Sequence, residues 1–298
     1  MVARAVPAPG RDRPLAGMAL MVVSVGLLTV MDGTAKYLAR EYPLWQLVWA
    51  RYAFNLLALL PLLARARLPA WRSRAPALQL VRAAAMVVAT FTMFLSLKLL
   101  PMAETYAIAF LSPLLVALLA GLLLRERPDV PRWLAVIAGF FGVLVVVRPG
   151  SGLFGYAALA PMVMALSFAL YQLVTRMLGS RDDTYVTMFW SAAVGTIVTA
   201  FLLPWNWRPP DAAALTLMAG MGLIGLLGQL AMIRAFTLAP ASLASPFIYT
   251  QIVWAVVFGL LVFGDLPDFW TVVGAAIVVA AGLHLFRHEA RRTRSHIR

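Results

Sequence analysis

Asp32 and Arg51 stand inside long apolar runs, where an ionisable side chain is costly and marks a functional position by default. Asp32 can hold a proton or serve a gating or substrate role. Lys36 follows it by four positions, the helical spacing at which an acid and a later base meet on one face. Arg51 lies about seven residues into the next run, and Asp32 about six residues from the end of its own, so equal depth also permits an Asp32–Arg51 pair. Two readings of Asp32 stand side by side: a structural ion pair with Lys36 or Arg51, or a gating or substrate group. Arg51 either neutralises Asp32 or receives a substrate carboxylate. Proton coupling needs a buried titratable group, which points to Asp32 or to Glu104 at a helix end. Arg82 is close enough to the end of its run to snorkel, and it reads as a membrane anchor.

The other candidates are neutral. Asn55, Thr90, Tyr106, Ser112, Ser167, Tyr171, Gln172, Trp190, Gln229, Ser245, Tyr249, Gln251 and Trp254 punctuate apolar sequence. Ser112, Tyr249 and Gln251 fall near the middle of their runs at about 1.5 Å per residue. Tyr249 and Gln251 are two apart, so at most one of them points straight into a cavity. Pro113 and Pro246 interrupt the backbone ladder and are hinge or gating candidates. Several chemistries are excluded. The chain has no cysteine, and its histidines are His284, His288 and His296 only, so no metal site or catalytic residue is assigned. Neither lysine follows a glycine, which excludes a Walker A loop, and no cofactor is expected. Gly220, Gly222, Gly225 and Gly228 have the spacing of a dinucleotide fingerprint, but no strand precedes them; close helix packing is the better reading.

The elements that must position these residues follow from composition. Of 298 residues 62% are hydrophobic and 12% charged, against roughly a quarter charged in soluble domains. Mean hydropathy of +0.86 excludes a soluble fold. Ten runs are long enough to cross a bilayer: Leu15–Leu38, Leu44–Ala64, Ala77–Lys98, Ala103–Leu124, Pro131–Arg148, Phe154–Arg176, Tyr185–Leu203, Ala212–Ile233, Ser242–Phe263 and Trp270–Phe286. The first exceeds a signal-peptide core and lacks an A-x-A site, so it reads as a retained helix. With the N-terminus inside, 18 basic residues fall in inner segments, and 5 (Lys36, Arg40, Lys98, Arg148, Arg208) in outer ones; both termini are expected to be cytoplasmic. The net charge of +13 is thus a loop property, nucleic acid is not an expected partner, and the terminal arginines favour anionic lipid. Trp45, Trp71, Trp133, Trp205, Trp207 and Trp270 sit near run ends, as interfacial aromatics do.

The halves resemble each other. Aligning Pro101 with Pro240 brings Glu126-Arg127-Pro128 onto Asp265-Leu266-Pro267 without a gap. Five spans per half is an odd number, so the second copy enters the bilayer with opposite polarity, the pattern of an inverted-repeat transporter. The signatures Leu124-Arg125-Glu126-Arg127-Pro128 and Phe263-Gly264-Asp265-Leu266-Pro267, the segments Leu97–Glu104 and Thr237–Ser242, and Asp32 with Lys36 resemble the drug/metabolite transporter superfamily in its EamA branch. That resemblance implies an all-α integral membrane fold of ten helices in two inverted repeats, 15–148 and 154–286, with basic tails at 1–14 and 287–298. It also implies a central cavity lined by spans 1, 3, 4, 6, 8 and 9. Aromatic amino-acid exporters of the superfamily are similar in size and layout.

The expected function is secondary transport of a small organic metabolite by alternating access in a bacterial-type inner membrane. Export of aromatic or hydrophobic amino acids is the first choice, by a monomer or homodimer. Uptake of a larger metabolite, such as S-adenosylmethionine or a vitamin, is the alternative. A membrane-embedded enzyme would need a clustered nucleophile, base or metal site that the spans do not offer; a non-transporting sensor or assembly subunit is a third class.

Overall fold

The computed structural model describes residues 13–66, 69, 71–123, 130–148, 157–179, 181–205 and 207–295. The Glu126-Arg127-Pro128 signature and the basic residues Arg4, Arg11, Arg67, Arg125, Arg127 and Arg298 lie outside them. Helices α1 (Pro14–Leu38), α2 (Leu44–Ala66) and α3 (Pro76–Leu99) form the first three spans. The fourth is α4 (Met102–Ala109) and α5 (Ser112–Leu123), and the fifth is α6 (Val130–Val147). The second half follows with α7 (Leu159–Leu178), α8 (Thr184–Ala200) and α9 (Ala212–Leu238). Its fourth span is composite: α10 (Ala241–Ala244), a 3-10 turn Ser245–Tyr249, α11 (Thr250–Phe258) and a π turn Gly259–Phe263. The last helix, α12 (Phe269–Ser295), continues past Phe286, where the apolar run ends.

Eight of these spans are long and apolar enough to cross a bilayer, and α6 and α8 are shorter apolar helices. Their ends carry local signals. Pro14 and Pro76 occupy first turns, where a missing N–H costs nothing. Asp183, Asp211 and Asp268 accept the backbone N–H of Tyr185, Ala214 and Thr271 at 2.8, 2.7 and 2.8 Å, so three of the 12 acidic residues are helix N-caps. The breaks in the two fourth spans coincide with proline. The ladder in the first half is interrupted at Phe110–Leu111, just before Ser112-Pro113. In the second, Pro246 sits in the 3-10 turn.

The helices pack across the halves. The first helix of each half lies against the third helix of the other, α1 on α9 and α3 on α7, and the second helices meet as α2 on α8 and the fifth as α6 on α12. Exchanging the halves maps this pattern onto itself. All spans therefore share one interior, between an end that carries Lys36 and an end that carries Asp182. Small residues permit the closest approaches. A Cβ on Gly142 would stand 2.9 Å from the carbonyl of Gly274, and one on Gly274 only 2.6 Å from that of Gly142. In α9, Gly222 packs on Phe54 and Asn55, Gly225 on Met31 and Gly228 on Leu28, whereas Gly220 meets nothing within 4 Å.

Gly142→Val and Gly274→Val must push α6 from α12, and each is expected to cost about 1–3 kcal/mol, read as a lower midpoint of thermal unfolding in detergent. Gly220→Ala should leave that midpoint unchanged within about 0.5 kcal/mol. Equal effects at all three positions would contradict the close α6–α12 contact.

Candidate functional site

Asp32 is on the buried face of α1, 6% exposed, together with Thr29, Met31 and Ala35. Tyr106, from the short α4, donates its hydroxyl to Asp32 Oδ2 at 2.5 Å. Gln251, at the start of α11, donates Nε2 to the Tyr106 oxygen at 3.3 Å. Three interrupted or neighbouring spans thus place a carboxylate, a phenol and an amide in one chain of hydrogen bonds. Broken helices suit this role, because irregular backbone at membrane depth is tolerated where protein buries it.

Lys36 does not pair with Asp32, although their spacing of four allows it. Its ammonium reaches Asp265 Oδ2 at 2.8 Å and the carbonyl of Leu100 at 3.0 Å, and it stands 5.0 Å from the centre of the Phe263 ring. The left-handed Gly264 (φ 71°) turns the chain after the π segment, next to the acid that Lys36 contacts. Arg148 likewise pairs with Asp268. Arg51 makes no ion pair with Asp32 either. Its Nη1 donates to Thr90 Oγ1 at 2.6 Å, and its guanidinium lies 5.6 Å from the Tyr52 ring and 5.9 Å from the Phe94 ring. The Tyr52 hydroxyl shares Thr90 Oγ1 at 2.9 Å and lies 3.1 Å from the Met86 carbonyl.

Arg82 overturns the reading as an anchor. Its side chain turns into the bundle and is buried, because α7 and α8 cover the face of α3 that it occupies. Nε donates to Thr175 Oγ1 at 2.7 Å, Nη1 to Ser191 Oγ at 2.6 Å and the Thr187 carbonyl at 3.1 Å, and Nη2 to Tyr171 Oη at 2.6 Å. Below it, at the end of the bundle, Gln79 Nε2 bridges Thr187 Oγ1 and the Asp182 carboxylate. Asp182 also accepts from the Ser73 hydroxyl and the Arg74 N–H. Partial burial pushes the Asp182 carboxyl up, but those donors and the Arg74 charge outweigh it and hold it below its ordinary 3.8.

The remaining candidates separate. Of the two residues spaced two apart, Gln251 reaches the Asp32 chain. Tyr249 turns away towards Phe110, 5.0 Å between ring centres, and towards Gly282 of α12. There it lines an apolar groove of about 410 Å³ with Ala103, Val256, Pro267 and Thr271. Trp254 is 39% exposed on the α1–α11 seam, where its N–H donates to the Val22 carbonyl at 3.2 Å, and it does not enter the interior. Asn55 is buried where α9 crosses α2, Ser112 is buried at the break between α4 and α5, and Gln172 is half-buried beside Tyr171. Glu104 is buried, with Oε1 3.4 Å from the Thr271 hydroxyl. Sequence reasoning did not single out Tyr52, Thr175, Thr187, Ser191 or Asp182. Their signal was available as hydroxyls one turn apart, Tyr171 with Thr175 and Thr187 with Ser191, on the helices that flank α3.

A ten-span helical bundle whose charged and polar side chains converge on its interior is built as a membrane transporter for small molecules. The profile of the EamA-like transporter family matches residues 15–148 and again 155–286, and the chain belongs to this family, within the drug/metabolite transporter superfamily. An S-adenosylmethionine uptake transporter of Rickettsia conorii is 24% identical over 93% of this chain and 94% of its own length. A riboflavin transporter of Rhizobium johnstonii is 28% identical over 95% of each chain, and a pseudopaline exporter of Pseudomonas aeruginosa 29% over 91% and 96%. A solved crystal structure at 18% identity superimposes with a TM-score of 0.64 over 94% of this chain and 99% of its own, which is a likeness of fold.

Because the folded Asp182 carboxyl titrates below its ordinary value, its contribution to stability is complete above about pH 4 and fades as pH falls through the lowered value. Asp182→Asn should therefore unfold at a lower temperature than the parent near pH 7, and the gap should close below about pH 4. A gap that is constant across this range would contradict the role of the charge.

Proposed function

We propose that the chain exports zwitterionic metabolites, aromatic or hydrophobic amino acids first among them, by alternating access. One observation carries this reading. Asp32 and Arg51 are both buried, on the first and second spans, yet each is hydrogen-bonded to a neutral hydroxyl instead of to the other. Two opposite charges kept apart in low dielectric form a bipolar site: the carboxylate suits an ammonium and the guanidinium a carboxylate. Phe94 and Tyr52 beside Arg51, and Tyr106 beside Asp32, offer aromatic surface for an apolar side chain.

Five spans per repeat give the two halves opposite polarity, so the pattern of packing that maps onto itself supports an inverted repeat. The Asp182 end, next to Arg72, Arg74, Arg176 and Arg181, is the cytoplasmic end in this reading, and both termini lie on that side of a bacterial-type inner membrane. Ties at each end, Lys36–Asp265 at one and the Asp182 cluster at the other, are the contacts that opening to either side must exchange. Pro113 and Pro246, at the breaks in the two fourth spans, are where those spans bend. The protein acts as a monomer or homodimer in lipid, on a small-molecule substrate and without nucleic acid.

A second reading, uptake of a larger metabolite, draws on the names of the relatives, which include S-adenosylmethionine uptake and riboflavin transport. Proteoliposomes separate the two. Preloaded with a panel of amino acids, they should show saturable counterflow of an aromatic or hydrophobic member, and Asp32→Asn should lower that flux about tenfold or more through loss of a charged hydrogen bond. Counterflow absent for the whole panel would remove the amino-acid reading, and a normal rate in Asp32→Asn would remove Asp32 from the site.

A further inference from the structure

Arg82 is 5% exposed, and every partner of its guanidinium is neutral: three hydroxyls, one carbonyl and the face of the Tyr171 ring at 4.4 Å. Among the described residues no carboxylate stands within ion-pair distance of it. Lys36 and Arg148 each hold an aspartate, so this bundle supplies counter-charges where a cation is structural. At Arg82 it does the opposite. Asp182 is on the same end of the bundle, but the Gln79 amide stands between the two, bonded to Asp182 on one side and to Thr187 on the other. A buried cation without a counter-ion is costly, and hydroxyls compensate only part of that cost.

The surroundings are fit to receive an anion. A guanidinium has five N–H donors; the hydrogen bonds to side chains and backbone take one from Nε, two from Nη1 and one from Nη2, which leaves one on Nη2. The hydroxyls of Thr175 and Ser191 accept from Arg82 and donate their own protons to the Tyr171 and Thr187 carbonyls at 2.7 and 3.2 Å, which fixes them as holders of the guanidinium, whereas the Tyr171 hydroxyl accepts from Arg82 and keeps a proton that can turn to an anion. Towards the bipolar site, the Tyr52 hydroxyl lies 3.1 Å from the Met86 carbonyl, one turn along α3 from Arg82, and shares Thr90 with Arg51. Polar groups thus run from one buried guanidinium to the other along α3, whose Arg82, Met86 and Thr90 follow one another at a spacing of four.

We propose that Arg82, held in place by Thr175 and Ser191 and flanked by the Tyr171 hydroxyl, is a second substrate subsite, a station for a carboxylate in the Asp182 half of the bundle, from which the anionic group of the substrate passes to or from Arg51. The inference rests on the reading of Asp32 and Arg51 as the first site. It makes a carboxylate, and not only an apolar body, the feature that the interior selects.

Benzoate and benzamide, which share a ring and differ in charge, test it on the purified full-length protein, with unfolding followed by the fluorescence of its 9 tryptophans. Benzoate should raise the midpoint more than benzamide. That excess should persist in Arg51→Gln, where Arg82 remains, and vanish in Arg51→Gln/Arg82→Gln, with apparent benzoate affinity about tenfold weaker or more. Arg82→Lys in the same background should restore part of it, which guards against loss through misfolding, and Asp182→Asn should retain it. Survival of the excess in the double variant, its disappearance in Arg51→Gln alone, or its loss in Asp182→Asn would each overturn the subsite. If amino-acid counterflow fails while the benzoate excess depends on Arg82, the amino-acid reading falls and the anion station stands. If counterflow succeeds while the excess ignores Arg82, the reverse holds.

Discussion

A charge taken from water into a membrane-embedded interior must find a partner there, and this constraint explains how the few ionisable groups of the chain are spent. At the Lys36 end, ammonium and guanidinium groups meet aspartates: Lys36 with Asp265, Arg148 with Asp268. At the opposite end Asp182 is held by hydroxyl, amide and backbone donors from the start of α3. Between these ties the rule changes. Asp32, Arg51 and Arg82 are all buried, and all are bonded to neutral hydroxyls. The fold pairs charges at its ends and leaves the interior charges on neutral hydroxyls.

The same division accounts for the backbone. Long uninterrupted helices such as α1, α3 and α9 need only their own ladders and can be packed closely through glycine. The two fourth spans are segmented, at Phe110–Leu111 in one and through the 3-10 and π turns in the other. These spans supply Tyr106, which bonds Asp32, and Gln251, which bonds the Tyr106 hydroxyl. Segmenting a helix changes the direction of its side chains part way along, so one span can serve the site with one segment and pack on α6 or α12 with another.

Much of the fold was legible because apolar length and proline position are local properties. The runs appear as helices with similar limits, and the breaks stand at Pro113 and Pro246. Rotation about each helix axis was not legible, because it depends on which neighbours cover which face. Arg82 illustrates this: counted from the end of its run it can snorkel, and only the packing of α7 and α8 over α3 turns it inwards. Lys36 prefers Asp265, 229 positions away, over an acid one turn behind it, because the turn at Gly264 delivers that carboxylate. Spacing could say that one of Tyr249 and Gln251 faces inwards, but not which. Trp254 gave no local sign that it belongs to an outer seam. The three acids used as N-caps lie in segments where sequence reading looked for topology and not for hydrogen bonds.

Asp32 and Arg51 stand as two separate poles and not as an ion pair. A double-mutant cycle on unfolding stability, with Asp32→Asn, Arg51→Gln and the combination, measures this directly in the absence of substrate. A coupling energy below about 1 kcal/mol is expected, since each group is bonded to its own hydroxyl partner. A coupling of about 3 kcal/mol or more, the scale of a broken buried ion pair, would contradict it.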